Sequence, residues 1–196
     1  MAPQDSTPNI QSLVIKFLIA VVVVAAFWSY RSYRFSVYGT SHATVGQPAP
    51  DFDIPRYKDE SEKPTLRLAD YAGDVVLIDF WATWCHPCKR QVRTLRHVSG
   101  VFADDDVHII SVNTDEEDPQ RRRKIHKFIH DNYHSFPIGL DDHKVQIMYE
   151  VERLPTMILI GRDGTIRRFF RGVTPAAHIK KAIQKELKRP VDGDDG

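Results

Sequence analysis

Cysteine is scarce in this chain: Cys85 and Cys88 are the only two thiols among 196 residues. Two cysteines cannot build the disulfide framework of a stapled secreted mini-protein, and they supply only half of a four-ligand zinc site. An excess of one charge is missing too. Lys and Arg number 27 against 26 Asp and Glu, for a net charge of +1. No global field therefore directs the chain to nucleic acid or to acidic partners. Internal repeats and low-complexity tracts are absent as well. The compartment stays open, because a lone C-x-x-C works in reducing and oxidising surroundings alike.

What the chain does have begins near its N-terminus. A polar tail, residues 1–12, precedes "LVIKFLIAVVVVAAFWSY", Leu13 to Tyr30, with Lys16 as its one charge. This run of about 18 residues approaches what a membrane-spanning helix needs. Lys16 can snorkel to the nearby interface, and Trp28, Tyr30 and Tyr33 sit where an aromatic belt would lie. A buried core helix and a cleaved signal peptide are the rivals. No small-x-small site follows closely, since "SHA" at Ser41 to Ala43 is too far downstream. We read 13–30 as an uncleaved transmembrane anchor. Arg31 and Arg34 behind the run slightly outweigh Lys16 and the amino terminus before it, so a literal charge count favours a cytoplasmic C-terminal part. So few charges decide little.

Residues 31–45 read as a linker, 46–189 as the folded domain and 190–196 as a polar tail. "VVLIDFW" (Val75 to Trp81) and "VHIISVN" (Val107 to Asn113) are continuous apolar runs of strand length, as strands buried on both faces should be. Thr83 to Ala103 repeats Val92, Leu95, Val98 and Phe102 at helical spacing. Residues 119–133 place Ile125, Phe128, Ile129 and Tyr133 on one helical face. "TMILI" (Thr156 to Ile160) and "TIRRFF" (Thr165 to Phe170) flank Asp163-Gly164, a tight-turn signal. A final amphipathic helix spans Pro175 to Lys188. The order predicts an α/β fold, a mixed central sheet with helices on both faces.

The stretches "GQPAPDFDIP", "VVLIDFWATWCHPCKR", "SVNTDEED", "LPTMILIGRDG" and "GVTP" resemble the thioredoxin fold. More narrowly they resemble the TlpA/ResA-like branch of membrane-tethered thiol-disulfide oxidoreductases, over about Gly46 to Leu187. The F-W-A-x-W-C-x-x-C run is the specific part; "APDF" is shared with peroxiredoxins. The resemblance implies an active-site disulfide at a helix start facing a cis-proline loop, and a domain outside the cytoplasmic membrane, facing the periplasm or an equivalent space. It also implies protein thiol or disulfide substrates such as apocytochromes c or copper-centre proteins, and a membrane electron donor. No cofactor beyond the redox disulfide is expected, nor nucleic acid; a monomer is. Two departures stand out. This branch usually has a Glu and a helix-kinking Pro where this chain has Gln91 and Arg93. Its cytochrome c maturation members carry an acidic G-V-x-G-x-P-E loop where this chain reads "YEVERLPTM".

Each residue of the motif then has an expected task. At a helix start the free N–H groups and the helix dipole favour an anion, so Cys85 is the expected nucleophile and Cys88, one turn on, the resolving thiol. Asp79, six residues before Cys85 on an apolar strand, matches the buried acid of thioredoxins; burial would raise its pKa and fit it to accept the Cys88 proton. Pro155 matches the cis-proline, turning Leu154, beside Thr156, toward a groove where a substrate strand could add. Trp81 and Trp84 would rim the sulfurs. Pro87 suits a helix's first turn and stiffens the loop; His86, when protonated, would favour the thiolate. His126, His130 and His134 recur every fourth residue, which invites a metal, but a solvated charged helix face fits them better. Asp115 to Asp118 would open that same helix. Two other readings compete. One is a copper-binding assembly factor using Cys85, Cys88 and a histidine. The other is a peroxidase, which would want a P-x-x-x-T-x-x-C environment that "DFWATWC" lacks.

Overall fold

The structure is a computed structural model that describes residues 18–19, 21–25, 43–57 and 64–190. Leu18, Ile19 and Val21 to Ala25 are helical. Most of the expected anchor at 13–30, the tail at 1–12 and all but the last residues of the 31–45 linker lie outside the described residues, as does nearly all of the 190–196 tail. No helix among the described residues is long and apolar enough to cross a membrane.

Residues Thr40 onward form a separate unit. A short hairpin opens it, β1 (Asp53–Pro55) against β2 (Thr65–Arg67), followed by a 3₁₀ turn at Leu68–Tyr71. The main chain of elements is β3 (Val75–Trp81), α1 (His86–Val101), β4 (Val107–Asn113), α2 (Arg121–Asn132), β5 (Ile138–Leu140), α3 (Lys144–Met148), β6 (Thr156–Ile160), β7 (Ile166–Arg171) and α4 (Ala176–Leu187). The five-stranded sheet runs β5-β4-β3-β6-β7. β3, β4 and β5 are parallel, while β6 runs antiparallel to both of its neighbours, β3 and β7. This is the mixed sheet of a thioredoxin fold.

Every residue of β3 is buried, because it is the central strand with both faces covered. Its side chains alternate between two cores. Val75 and Leu77 pack with Leu95 and Val98 of α1 and Ile179 and Ile183 of α4. Val76, Ile78 and Phe80 pack with Phe52, with Ile54 and Leu66 of the hairpin and with Val145 and Tyr149 around α3. Two successive parallel crossovers in one direction place α1 and α2 on one side, and Ile125 and Phe128 of α2 accordingly join Trp81 and Val92. The second face is closed mainly by the hairpin and the short α3. The sheet core already includes Ala43, 4% exposed, whose N–H donates to Met148 O.

The hairpin at Asp163-Gly164 forms as expected. Gly164 takes φ 75°, and Asp163 Oδ1 accepts from Thr165 N at 3.0 Å. The helix expected over 119–133 stops earlier. Tyr133 adopts the left-handed conformation at its C-cap and is 71% exposed rather than on the apolar face. His134, beyond that cap, is turned inward and buried. The expectation of a solvated histidine face therefore holds for His126 and His130 and fails for His134.

Candidate active site

The site forms where β3 ends and α1 begins. Cys85 is the N-cap of α1, with extended backbone, and its Sγ accepts from Cys88 N at 3.2 Å. His86 and Pro87 occupy the first turn, where a proline's missing N–H breaks no helix bond. Cys85 and Cys88 are joined as a disulfide. Their helix periodicity turns Cys88 inward onto Val92 and Trp81. The expected asymmetry in access is not visible in this oxidised form, where Cys85 is 3% and Cys88 1% exposed. What separates the two sulfurs is position: Cys85 faces the free N–H groups of the helix start, and Cys88 lies within the first turn.

Asp79 lies on β3, flanked in the sheet by Ser111 of β4 and Met157 of β6. Strand alternation puts it on the face that α1 covers. Its side chain is buried, and neither carboxylate oxygen has a hydrogen-bond partner among the described residues. Burial without compensation pushes its pKa from 3.8 up to about 7.

The Leu154–Pro155 bond is cis. Leu154 packs against the cluster that holds both sulfurs. Pro155 O accepts from Gly172 N at 2.8 Å, and Thr156 Oγ1 donates to Arg153 O at 2.8 Å. Trp84 stands 67% exposed beside the disulfide, whereas Trp81, expected with it at the rim, is fully buried. Its ring stacks on Phe128 at 4.3 Å and on His134 at 5.2 Å. Beside Trp84 runs an open groove of about 510 Å³, lined by Thr83, Glu116, Lys124, Glu152 and Leu154 among others.

Three supports escaped the sequence reading. Asp115, expected to open α2, is buried and instead holds the active-site loop. Its carboxylate accepts from Thr83 N at 3.0 Å, Thr83 Oγ1 at 3.1 Å and Asn113 Nδ2 at 3.0 Å. Asp118 does serve the helix start, accepting from Gln120 N and Lys124 Nζ. The Asp115 contacts hold the loop at Thr83, and α1 starts at His86, as the expected place of Cys85 at a helix start requires. Arg121 is buried behind Asp115 and donates to Asn113 O and Asp141 O, both at 2.8 Å. Gln91, noted only as a departure, is fully buried and accepts from Thr174 N at 2.8 Å. A polar residue on the apolar stripe of α1 was the available signal for it. His134 bonds Ser111 Oγ through Nε2 at 3.0 Å, and burial pushes its imidazole down to about 4. Among the described residues no three His, Cys, Asp or Glu side chains gather as a metal-binding group.

The comparisons with known proteins agree with this geometry. The chain is 30% identical to the thiol-disulfide oxidoreductase ResA of Geobacillus kaustophilus over 175 residues, covering 89% of this chain and 95% of that one. It is 29% identical to ResA of Bacillus subtilis over 85% and 89% of the two chains. Among solved structures it resembles a Chlorobium tepidum protein proposed to be the thiol:disulfide interchange protein DsbE. That match has TM-score 0.65 and 26% identity, over 74% of this chain and 99% of the other. The AhpC/TSA family profile matches residues 45–169, more than half of the chain, and the chain therefore belongs to this thioredoxin-like family, in which it is similar to thiol-disulfide oxidoreductases.

Proposed function

We propose that the protein is a thiol-disulfide oxidoreductase, tethered to the cytoplasmic membrane, that reduces disulfides of exported proteins. The observation that carries this reading is the Cys85–Cys88 disulfide at the start of α1, on the sheet face that also holds the unpaired carboxylate of Asp79. In the reduced protein the Cys85 thiolate attacks one sulfur of a substrate disulfide. The other substrate sulfur leaves as a thiolate and takes a proton from water. Cys88 then gives its proton to Asp79, and its sulfur attacks Cys85 Sγ, releasing the second substrate thiol. Two electrons pass to the substrate, and Cys85–Cys88 is closed. A dithiol donor in the membrane reopens it.

An Asp79 pKa of about 7 suits the proton step, because the group is then both ionised and protonated in useful amounts near neutral pH. Leu154, Pro155 and Thr156 would line the substrate's approach, with Trp84 as the exposed apolar edge and His86 and Pro87 shaping the loop. Assembly proteins of the cytochrome c or metal-centre type are the substrates that the family resemblance favours.

A Cys88→Ser variant tests the reading. It should arrest the mixed disulfide on Cys85, and mass spectrometry of the trapped adducts should identify exported cysteine proteins. Insulin reduction by the wild type should require both cysteines. Adduct formation that persists without Cys85 would overturn the assignment of the nucleophile.

A further inference from the structure

Helix α1 contains no acidic residue, yet it carries Lys89, Arg90, Arg93 and Arg96, with His86 and His97. At 3.6 residues per turn these side chains fall within about a third of the helix circumference. Cys88, Gln91, Val92, Leu95 and Val98, the buried residues, occupy the opposite side. Arg90, Arg93, Arg96 and His97 are exposed and Lys89 is half-buried. The cations therefore face away from Cys88, so tuning of that sulfur does not account for them. Along the axis the stripe runs about 16 Å from the active-site end.

Elsewhere the same chain pairs some of its surface cations, although Arg168 and Arg171 of β7 and Lys180, Lys181 and Lys185 of α4 form no ion pair among the described residues. Lys124 meets Asp118, Lys127 meets Asp131, Lys144 meets Asp142, Arg67 meets Asp70 and Arg167 meets both Asp163 and Glu186. No cation of α1 forms an ion pair among the described residues. A merely soluble surface intersperses both signs, and a chain with 27 bases and 26 acids has the acids to do so. The helix start, moreover, is where backbone electrostatics favour anions over cations. Beside the stripe, Arg96 lies over the ring of the exposed Tyr133 at 5.3 Å, a pairing of the residue types enriched at protein interfaces.

We propose that the exposed face of α1 is the docking surface for a carboxylate-rich face on the substrate protein whose disulfide Cys85–Cys88 reduces. This inference rests on the oxidoreductase reading above. The chemistry selects a protein over a lipid surface: a partner sulfur must reach Cys85, so whatever sits on the stripe must present that sulfur at the stripe's end. On the far side of Trp84 the groove holds mixed charge, Glu116, Asp118 and Glu152 with Lys124, Arg153 and His143. Of the surfaces that start at the disulfide, α1 is the one with cations alone, and such a field raises the rate of encounter with oppositely charged partners, about tenfold or more at low salt.

The test uses the full-length reduced protein in detergent and two synthetic disulfide peptides identical at their cysteines, one flanked by Glu and one by Lys. Each rate of peptide reduction is divided by the same protein's rate with uncharged 2-hydroxyethyl disulfide. For the wild type at about 20 mM salt the Glu peptide should react about tenfold faster, and the preference should vanish near 0.5 M salt. The triple variant Arg90→Glu, Arg93→Glu, Arg96→Glu should favour the Lys peptide. A wild-type ratio near one at low salt, or a preference that survives the triple variant, would overturn the proposal. So would a ratio near one combined with vesicle binding, at 30% phosphatidylglycerol as about a third anionic lipid, that the triple variant weakens; the stripe would then be a lipid contact. Failure with 2-hydroxyethyl disulfide would instead refute the dithiol chemistry itself.

Discussion

Asp79 gives the molecule a pH dependence whose sign follows from its burial. In the folded protein the carboxyl holds its proton up to about pH 7, while an ordinary Asp releases it near 3.8. Between those values folding takes up a proton, so this group's contribution to stability falls as pH rises from about 4 to 7 and is level beyond. The difference amounts to about 4 kcal/mol for one charge. Asp79→Asn should remove that slope, leaving the oxidised variant more stable than wild type at pH 8 by up to this amount in urea unfolding. The same substitution should slow resolution of the mixed disulfide by about 10- to 100-fold. A rate unchanged between pH 6 and 8 would leave Asp79 with a structural role only. Asp115 is the opposite kind of acid, satisfied by Thr83 and Asn113. Asp115→Ala should cost about 2–4 kcal/mol, since it strands buried donors, and should loosen the loop before Cys85. The cysteine pair and Asp79 were legible in the sequence because motif spacing and an acid in an apolar strand are local signals. Asp115 and Gln91 were not, because their partners Thr83 and Thr174 lie 32 and 83 residues away.

Among the elements, legibility tracked length. β3, β4 and β6 were readable to the residue, and α1, α2, β7 and α4 to within a few, since each repeats its apolar period several times. β1, β2 and β5 are three residues each and α3 is five, too short to show any period. They form because tertiary packing selects them. Gly139 of β5 shows how closely. A Cβ there would collide with Ile54 Cδ1 and lie 3.0 Å from Leu66 Cδ2, side chains of the two hairpin strands. Gly139→Ala should therefore push the hairpin off the sheet edge and cost about 1–3 kcal/mol. Thermal unfolding checks the cost. Hydrogen exchange should show faster loss of protection at Ile54 and Leu66 than at Ile110 of the central sheet. Tyr133 and His134 mark the other limit of periodicity. One left-handed cap residue reverses which of them is buried, and nothing in the helical spacing announces where that cap falls.

At the scale of the whole molecule, the proposed membrane tether raises the question of which side of a membrane the redox site would face. The apolar run at Leu13 to Tyr30 is about long enough to span, and its flanking charges argue weakly for a cytoplasmic C-terminus: Arg31 and Arg34 against Lys16 and the amino terminus. The resemblance to membrane-tethered oxidoreductases argues for the outside. A reductant of exported disulfides has its substrates there, because a cytoplasm kept reducing by thiol buffers leaves few disulfides to reduce. That functional demand outweighs a difference of so few charges, and we expect the domain to be extracytoplasmic. Alkaline phosphatase fused to the C-terminus should be active in whole cells, and a fluorescent protein that matures only in the cytoplasm should stay dark. Changing Arg31 and Arg34 to Ser should then raise the phosphatase signal or leave it level, since it removes the charges that oppose this orientation. Fluorescence without phosphatase activity would put Cys85 and Cys88 in the cytoplasm and would make cytoplasmic proteins, not exported ones, the substrates to look for in the Cys88→Ser trap.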